Sequence, residues 1–219
     1  DTAGKSDKAL EQFEGLVLDH GVVAVIGPLL KDNAMAVAPE AQAAGVPLVT
    51  LTQTPGITAA GDYIFRGLMT PEHQIEGLLD FAMGNLGLRI FAVMAPSTPF
   101  GSTARDAFVE GVRDRGGQLS QVVMYDPGKT SFAGEATQLK AQDYDAIFIP
   151  DAYSRVALVA SALAYEEFPV GNFQPRRGVE NIPLLGLSGW HNEELFTRGG
   201  LYVQNSVFVE AYTLLDARN

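Results

Sequence analysis

The chain of 219 residues contains no cysteine, so it can form no disulfide and offers no thiolate for catalysis or metal binding. Basic residues are also scarce, because 15 lysines and arginines stand against 26 aspartates and glutamates, a formal net charge of −11. Lysine and arginine form no cluster, and a surface that follows nucleic-acid phosphates is therefore not expected. No apolar run reaches the ~20 residues that span a bilayer, so no membrane span is expected.

The patterns of common catalytic and metal sites are missing as well. The three histidines are far apart and share no ligand spacing: His20, His73 and His191. The residues Gly-Lys-Thr at 128–130 match the last part of the phosphate-binding loop motif, but Val123 stands where that motif requires its first glycine. The sequence around Ser188 begins like a nucleophile elbow, yet Trp190 replaces its closing glycine and no acid or histidine is placed to complete a triad. We therefore expect no enzyme activity, no metal site and no cofactor.

What the chain does have is a series of short apolar runs, each followed by a polar or aromatic loop. Six such runs occur, at residues 22–26, 47–51, 90–95, 122–125, 146–150 and 182–187. A helix-like pattern follows each loop, directly or, after the second run, further along the chain. This alternation predicts an α/β fold with parallel sheets, and such sheets bind ligands at the carboxyl ends of their strands. The binding residues are therefore expected in the loops.

The alternation divides into two series. The first holds two helices and two predicted strands, too few for a sheet that is stable by itself, so this part is expected to be incomplete in the chain. The second begins near residue 68 and holds a full set of strands and helices. Residues 168–181, rich in proline and glycine, interrupt it and are typical of an exposed connection.

Two loops of the first series carry candidate ligand contacts. The loop 28–33 leads from a buried strand into a helix, whose first N–H groups can bind a carboxylate or another polar group. Alternatively, Asp32 or Asn33 only caps that helix. At the end of the next strand, the hydroxyls of Thr52 and Thr54 can orient a ligand, or they can hold the turn that follows.

Aromatic residues follow the strands of the second series. Phe100, Tyr153 and Trp190 each come just after a strand, where a core aromatic side chain would not be expected. Aromatic rings presented at the edge of a cleft can stack on a ligand, whereas packing against a neighbouring loop is the alternative. Ser188 is expected to act as a hydrogen-bonding wall rather than as a nucleophile.

An ordered set of segments over nearly all of the chain resembles the type I periplasmic binding proteins, the group that contains leucine/isoleucine/valine receptors. The segments are DTAGKSDKALEQFEGLV, GVVAVIGPL, AGVPLVTLTQT, GDYIFRGLMTPEHQ, FAVMAPSTPFGSTARDAFVEGV and YDAIFIPDAYSRVALVASAL. Within that group, the phrases DTAG, VIGPL, VTLTQT, IFRG and LSGWHNEEL are most similar to bacterial lipoproteins described as extracellular ligand-binding receptors or penicillin-binding-protein activators.

The resemblance implies two Rossmann-like lobes that close on a ligand. Residues 1–67 and 210–219 would belong to the first lobe with its hinge strands, and residues 68–209 would form the second. Members of the group begin with a strand, a helix and a strand before the equivalent of DTAG and continue beyond the equivalent of Asn219. The chain is therefore expected to be a fragment whose first lobe is incomplete.

The resemblance also assigns ligand contacts by position. They fall at Leu30, Lys31, Asp32, Thr52 and Thr54 in the first lobe and at Phe100, Tyr153 and Ser188 in the second. Amino-acid receptors of the group have a small hydroxyl residue in place of Lys31 and an acidic residue in place of Ser188. Without that carboxylate, the ammonium group of an α-amino acid would lose its charge-assisted bond. Lys31 instead indicates an anionic or polar ligand, or no ligand.

Two functions are consistent with these features. The first is an extracytoplasmic solute-binding protein that captures a small polar molecule without catalysis and delivers it to an ABC transporter permease. The second is a lipoprotein that regulates a peptidoglycan synthase, a penicillin-binding protein, through a surface outside a degenerate cleft. Either function implies a periplasmic or extracytoplasmic location, with any lipid anchor on a segment outside this chain.

Overall fold

The computed structural model describes residues 1–140, 143–176 and 180–210. The chain divides into two compact units, the first formed by Asp1–Thr70 and the second beginning at Pro71. The boundary lies close to the predicted division after residue 67. The predicted return of residues 210–219 to the first lobe falls outside the described residues, except for Glu210.

The first unit is a small parallel sheet with helices packed against it. Its elements are α1 (Ser6–Leu18), β1 (Val25–Ile26), α2 (Lys31–Ala44), β2 (Leu48–Thr50), a 3₁₀ turn (Ile57–Ala60) and β3 (Ile64–Arg66). The strand order is β1-β2-β3, and Leu48 at the centre pairs with Val25 on one side and Ile64 on the other. The sequence predicted only two strands here. The third forms because Ile64, Phe65 and Arg66 extend the ladder of β2.

The core of the first unit is built largely from alanine on the helix side. Ala34, Ala38 and Ala41 of α2 are fully or almost fully buried and pack in one cluster with Phe13 of α1 and Leu48 of β2. Small side chains at three- and four-residue spacing allow the helix to lie close to the other elements of this cluster. The carboxyl ends of β1 and β2 are thereby held next to the start of α2.

The second unit contains a five-stranded sheet. Its elements are α3 (Pro71–Leu79), a π-helical turn (Asp80–Asn85), β4 (Ile90–Pro96), α4 (Pro99–Asp114), β5 (Gln118–Tyr125), α5 (Ala133–Leu139), β6 (Ala146–Phe148), α6 (Tyr153–Tyr165), β7 (Leu184–Gly186), a 3₁₀ turn (Ser188–Trp190), α7 (Glu193–Gly199), a 3₁₀ turn (Gly200–Val203) and β8 (Val207–Phe208). The strand order is β5-β4-β6-β7-β8, and every pairing is parallel. The predicted α/β fold with parallel sheets is confirmed.

Two hydrophobic clusters pack around this sheet. Strand β4 is buried along most of its length and contributes to both clusters, as a strand covered on both faces must. In one cluster, Phe108 of α4 stacks on Phe148 with ring centroids 4.1 Å apart and meets Phe91 edge to face at 5.6 Å. The other cluster is filled mainly by α6, with Val156, Val159 and Ala160 fully buried. The sheet is therefore a rigid support for the loops at its carboxyl edge.

Among the residues that the structure describes, no helix is both long enough and apolar enough to cross a bilayer. Within the same ranges, no group of three or more histidine, aspartate or glutamate side chains is arranged to hold a metal ion.

Candidate functional site

In the first unit, the predicted loops lie side by side at the carboxyl edge of the sheet. The Leu51 N–H after β2 donates to the Pro28 carbonyl oxygen after β1, at 3.0 Å. Helix α2 begins at Lys31 with Leu30 as its N-cap, and no side chain caps its first turn. Leu30, Lys31 and Asp32 are all exposed. The structure therefore brings these three predicted residues together on an accessible helix start.

The alternative that Asp32 or Asn33 merely caps α2 is wrong. Both residues lie inside the helix, one and two positions after its first residue. The Asn33 side chain is buried, and its Nδ2 donates to Thr2 Oγ1 at 3.1 Å. Ser6 Oγ donates to Asn33 Oδ1 at 3.4 Å. Asn33 thus connects α2 to Thr2 and Ser6 at the start of α1, and its side chain does not cap the first turn of α2.

The threonines after β2 hold the local turn. Thr52 is buried, and its Oγ1 lies 2.8 Å from Thr54 Oγ1 and accepts the Thr54 N–H at 3.2 Å. Thr50 Oγ1 donates to the Phe65 carbonyl oxygen of β3, at 3.2 Å. These hydrogen bonds fit the second of the two roles predicted from the sequence, in which the threonines hold the turn. A ligand contact by Thr52 or by the half-buried Thr54 stays a prediction.

In the second unit, a cavity of about 300 Å³ opens at the carboxyl edge of the sheet. It is lined by Pro96, Thr98, Phe100, Pro127, Asp151, Ala152, Arg155, Leu187 and Gly189. These residues come from the loops and helix starts that follow four neighbouring strands, β4 to β7. Its volume is at the small end of the range for ligand pockets, so it suits a small molecule or one part of a larger ligand.

Phe100 is held at this cavity by the start of α4. Thr98 is the N-cap, and its Oγ1 accepts the Gly101 N–H at 3.0 Å. A Cβ atom at Gly101 would lie 2.1 Å from the Pro96 carbonyl oxygen, so only glycine allows α4 to begin this close to the end of β4. The Phe100 side chain remains 45% exposed. The ring therefore lies at the edge of this cavity, and its contact with a ligand stays a prediction.

The cavity wall also carries a charged pair that was not predicted from the sequence, Asp151 and Arg155. Asp151 follows β6, and its two carboxylate oxygens accept the Tyr125 hydroxyl at 2.6 Å and the Ala152 N–H at 2.7 Å. The Arg155 Nε lies 3.0 Å from Asp151 Oδ2, one helical turn further on. Burial raises the pKa of Tyr125 well above its ordinary value, and the hydrogen bond to Asp151 adds to this shift.

The guanidinium of Arg155 is also fixed by the loop after β5. Its Nη1 donates to the carbonyl oxygens of Pro127 and Lys129. The Lys129 ammonium is itself paired with the Glu135 carboxylate. A signal for this group was present in the sequence, because Asp151 and Arg155 stand four residues apart directly after the apolar run 146–150.

The other predicted residues of this unit lie beside the cavity. The half-buried Ser188 is flanked by the lining residues Leu187 and Gly189, and its N–H donates to Gln74 Oε1 at 2.9 Å. Tyr153 is the first residue of α6 and packs partly against the core. A direct ligand contact by either side chain stays a prediction.

The expectation that Trp190 is presented at an exposed edge is wrong. Its side chain is 0% exposed, and its Nε1 donates to the Ile149 carbonyl oxygen at 3.1 Å. The 3₁₀ turn that it ends folds the indole back over Gly186, where an added Cβ would lie 2.2 Å from the ring. Trp190 is therefore a core residue that packs against Gly186 at the end of β7.

In parallel α/β units, ligands bind at the carboxyl ends of the strands, which is where this cavity lies. Residues 1–213 match the sequence profile of the family described as periplasmic binding protein. The match covers almost the whole chain, and the chain belongs to this family. No curated protein sequence matches it significantly.

Solved structures of this family share the fold. One, from Rhodospirillum rubrum and proposed to belong to a branched-chain amino acid ABC transporter, is 22% identical with a TM-score of 0.83, covering 100% of this chain and 60% of its own. The LivJ substrate-binding protein of Streptococcus pneumoniae, solved with isoleucine, is 21% identical with a TM-score of 0.66, covering 99% and 59%. An R. palustris solute-binding protein, solved with 4-hydroxybenzoate, is 22% identical with a TM-score of 0.58, covering 90% and 52%. The chain therefore spans at most about 60% of the length of these relatives.

Proposed function

We propose that this chain is part of an extracytoplasmic solute-binding protein that captures a small polar molecule for an ABC transporter, without catalysis. The observation that carries the proposal is the cavity at the carboxyl edge of the second sheet, where Phe100 and Arg155 face the same space. Membership of the periplasmic binding protein family supports a periplasmic or extracytoplasmic location. Solved relatives described as parts of ABC transporters support a permease as the partner.

Each unit offers its own set of candidate contacts for the solute. In the first unit, the exposed start of α2 offers Leu30, Lys31 and Asp32, with Thr52 and Thr54 beside it. In the second unit, Phe100 offers an apolar face, with Tyr153 and Ser188 next to the cavity. Trp190 is left out of this set because its indole is buried. The regulator of a penicillin-binding protein finds no support in the comparisons with known proteins.

A ligand screen on the full-length protein tests this function. Thermal unfolding would be measured with amino acids, carboxylic and dicarboxylic acids, sugars and peptidoglycan fragments. A solute present at 100 times its dissociation constant stabilises the folded state by about 2.7 kcal/mol, which a melting curve resolves. We expect at least one small solute to raise the melting temperature and to bind saturably in calorimetry. A flat response to the whole panel would contradict the proposal.

A matched pair of phenylalanine variants then locates the site. Phe100→Ala removes a ring from the cavity wall, whereas Phe196→Ala removes a ring of similar exposure, 47% against 45%, from α7. Full burial of an aromatic side chain contributes roughly 1.5 to 3 kcal/mol, and about half of Phe100 is exposed, so Phe100→Ala should weaken binding by about three- to tenfold. Phe196→Ala should leave the dissociation constant unchanged. Equal effects of the two variants would place the solute elsewhere.

A further inference from the structure

Two of the three nitrogens of the Arg155 guanidinium are already bound to protein groups. Its Nε pairs with Asp151 and its Nη1 binds two backbone carbonyl oxygens. For Nη2 we find no hydrogen-bond partner within residues 1–140, 143–176 and 180–210. The side chain is 30% exposed and lines the cavity. A charged donor therefore stands at the cavity wall with bonds left to make.

The carboxylate beside it is, in contrast, largely occupied. Asp151 accepts the Tyr125 hydroxyl, the Ala152 N–H and the Arg155 Nε–H, which is three of the about four bonds that a carboxylate can accept. Its side chain is 14% exposed, against 30% for Arg155. The charged pair thus presents a donor more than an acceptor to the cavity, and this polarity favours an anionic group over an ammonium.

The position of the guanidinium is set before any ligand arrives. Arg155 lies in the first turn of α6, and the ion pair at i,i+4 together with two carbonyl oxygens of another loop fixes the plane of its head group. A fixed planar guanidinium loses little side-chain entropy on binding a carboxylate. The rest of the lining is mostly apolar, with Pro96, Phe100, Pro127 and Leu187 around the same space.

We propose that Arg155 is the specificity-determining residue of this cavity and selects a small carboxylate with an apolar body and no α-ammonium group. This inference rests on the function proposed above, and it adds the chemical class of the solute and the residue that recognises it. Asp151 is a positioning residue that holds the guanidinium, and Tyr125 holds Asp151 in turn.

Matched ligands test the charge preference without any substitution. Calorimetry on the full-length protein would compare benzoate with benzamide, which differ in charge, and 4-methylpentanoate with L-leucine, which differ only by the α-ammonium group. We expect each carboxylate without an ammonium to bind about tenfold or more tightly than its counterpart, since a charge-assisted hydrogen bond is at stake. Equal or tighter binding of benzamide or L-leucine would overturn the inference.

Substitutions of Arg155 test whether this residue causes the preference for carboxylates. Arg155→Met should remove most of the difference between benzoate and benzamide, and Arg155→Lys should keep part of it. Arg198→Met is the matched control, because Arg198 also forms an i,i+4 ion pair, with Glu194, but lies on α7 outside the cavity lining. Circular dichroism would establish that each variant folds. If Arg155→Met weakens benzoate and benzamide equally, Arg155 has only a structural role and the inference is wrong.

The two proposals fail in different ways. If neither these probes nor any solute of the wider panel binds, the solute-binding function itself is contradicted. If solutes bind but carboxylates have no advantage, or if Arg155→Lys and Arg155→Met leave the carboxylate preference intact, the receptor function stands and the role of Arg155 is refuted.

Discussion

Trp190→Phe distinguishes a structural tryptophan from a ligand-stacking one. The change removes the indole N–H that donates to the Ile149 carbonyl oxygen and leaves a smaller ring in a fully buried site next to Phe208. The Ile149 carbonyl oxygen keeps a second partner, the Asp151 N–H at 3.0 Å, so the lost hydrogen bond costs only about 0.5 to 1.5 kcal/mol. The missing ring atoms add roughly 1 kcal/mol more through lost packing. We therefore expect the variant to lose about 1.5 to 2.5 kcal/mol of unfolding free energy.

Urea unfolding of the full-length protein, followed by far-ultraviolet circular dichroism, measures this loss. The midpoint should fall while the slope of free energy against urea stays the same, since the surface exposed on unfolding hardly changes. Tyr165→Phe serves as control, because Tyr165 is 82% exposed and its substitution should change stability by less than about 0.5 kcal/mol. If Trp190→Phe left stability intact but weakened solute binding, Trp190 would face the ligand and the packing described here would be refuted.

Two further predictions concern the same region. Gly186→Ala should destabilise the protein by about 1 to 3 kcal/mol in urea unfolding, because the added Cβ would lie 2.2 Å from the Trp190 ring. Gly134→Ala is its control, since nothing lies within 4 Å of a Cβ there, and an equal loss in both variants would remove the clash as the cause. Tyr125 has a raised pKa in the folded state, so the unfolded state loses that proton first and stability should fall as the pH rises above about 10. Tyr125→Phe should flatten that fall by up to about 1.4 kcal/mol per pH unit between pH 10 and 11, and an unchanged slope in unfolding curves would contradict the burial of its hydroxyl.

The fold was largely predictable because parallel strands that are buried on both faces consist of continuous apolar residues. The run at 90–95 became β4 almost residue for residue. Strand β3 was not predicted, because Ile64–Arg66 is three residues long and mixes apolar, aromatic and charged side chains. It becomes a strand only through its pairing with β2, a long-range interaction that local patterns do not contain.

The position of the candidate site could be predicted from the sequence, but not all of its residues. Phe100 lines the cavity because the loop after a parallel strand must lie at the carboxyl edge of the sheet, and its contact with a ligand stays a prediction. Trp190 follows a strand in the same way, yet the turn after β7 directs its ring into the core, and sequence position does not determine side-chain direction. Asp151 and Arg155 were not predicted because their arrangement depends on Tyr125 and Pro127, which reach them from β5 and the loop after it.

A crystal structure of the full-length protein with the tightest-binding solute of the screen would test most directly whether the carboxyl edge of the second sheet is the binding site. We predict that the solute lies against Phe100, with a carboxylate oxygen roughly 2.7 to 2.9 Å from the Arg155 guanidinium. A solute bound at full occupancy away from the cavity, with Phe100 and Arg155 untouched, would contradict this assignment.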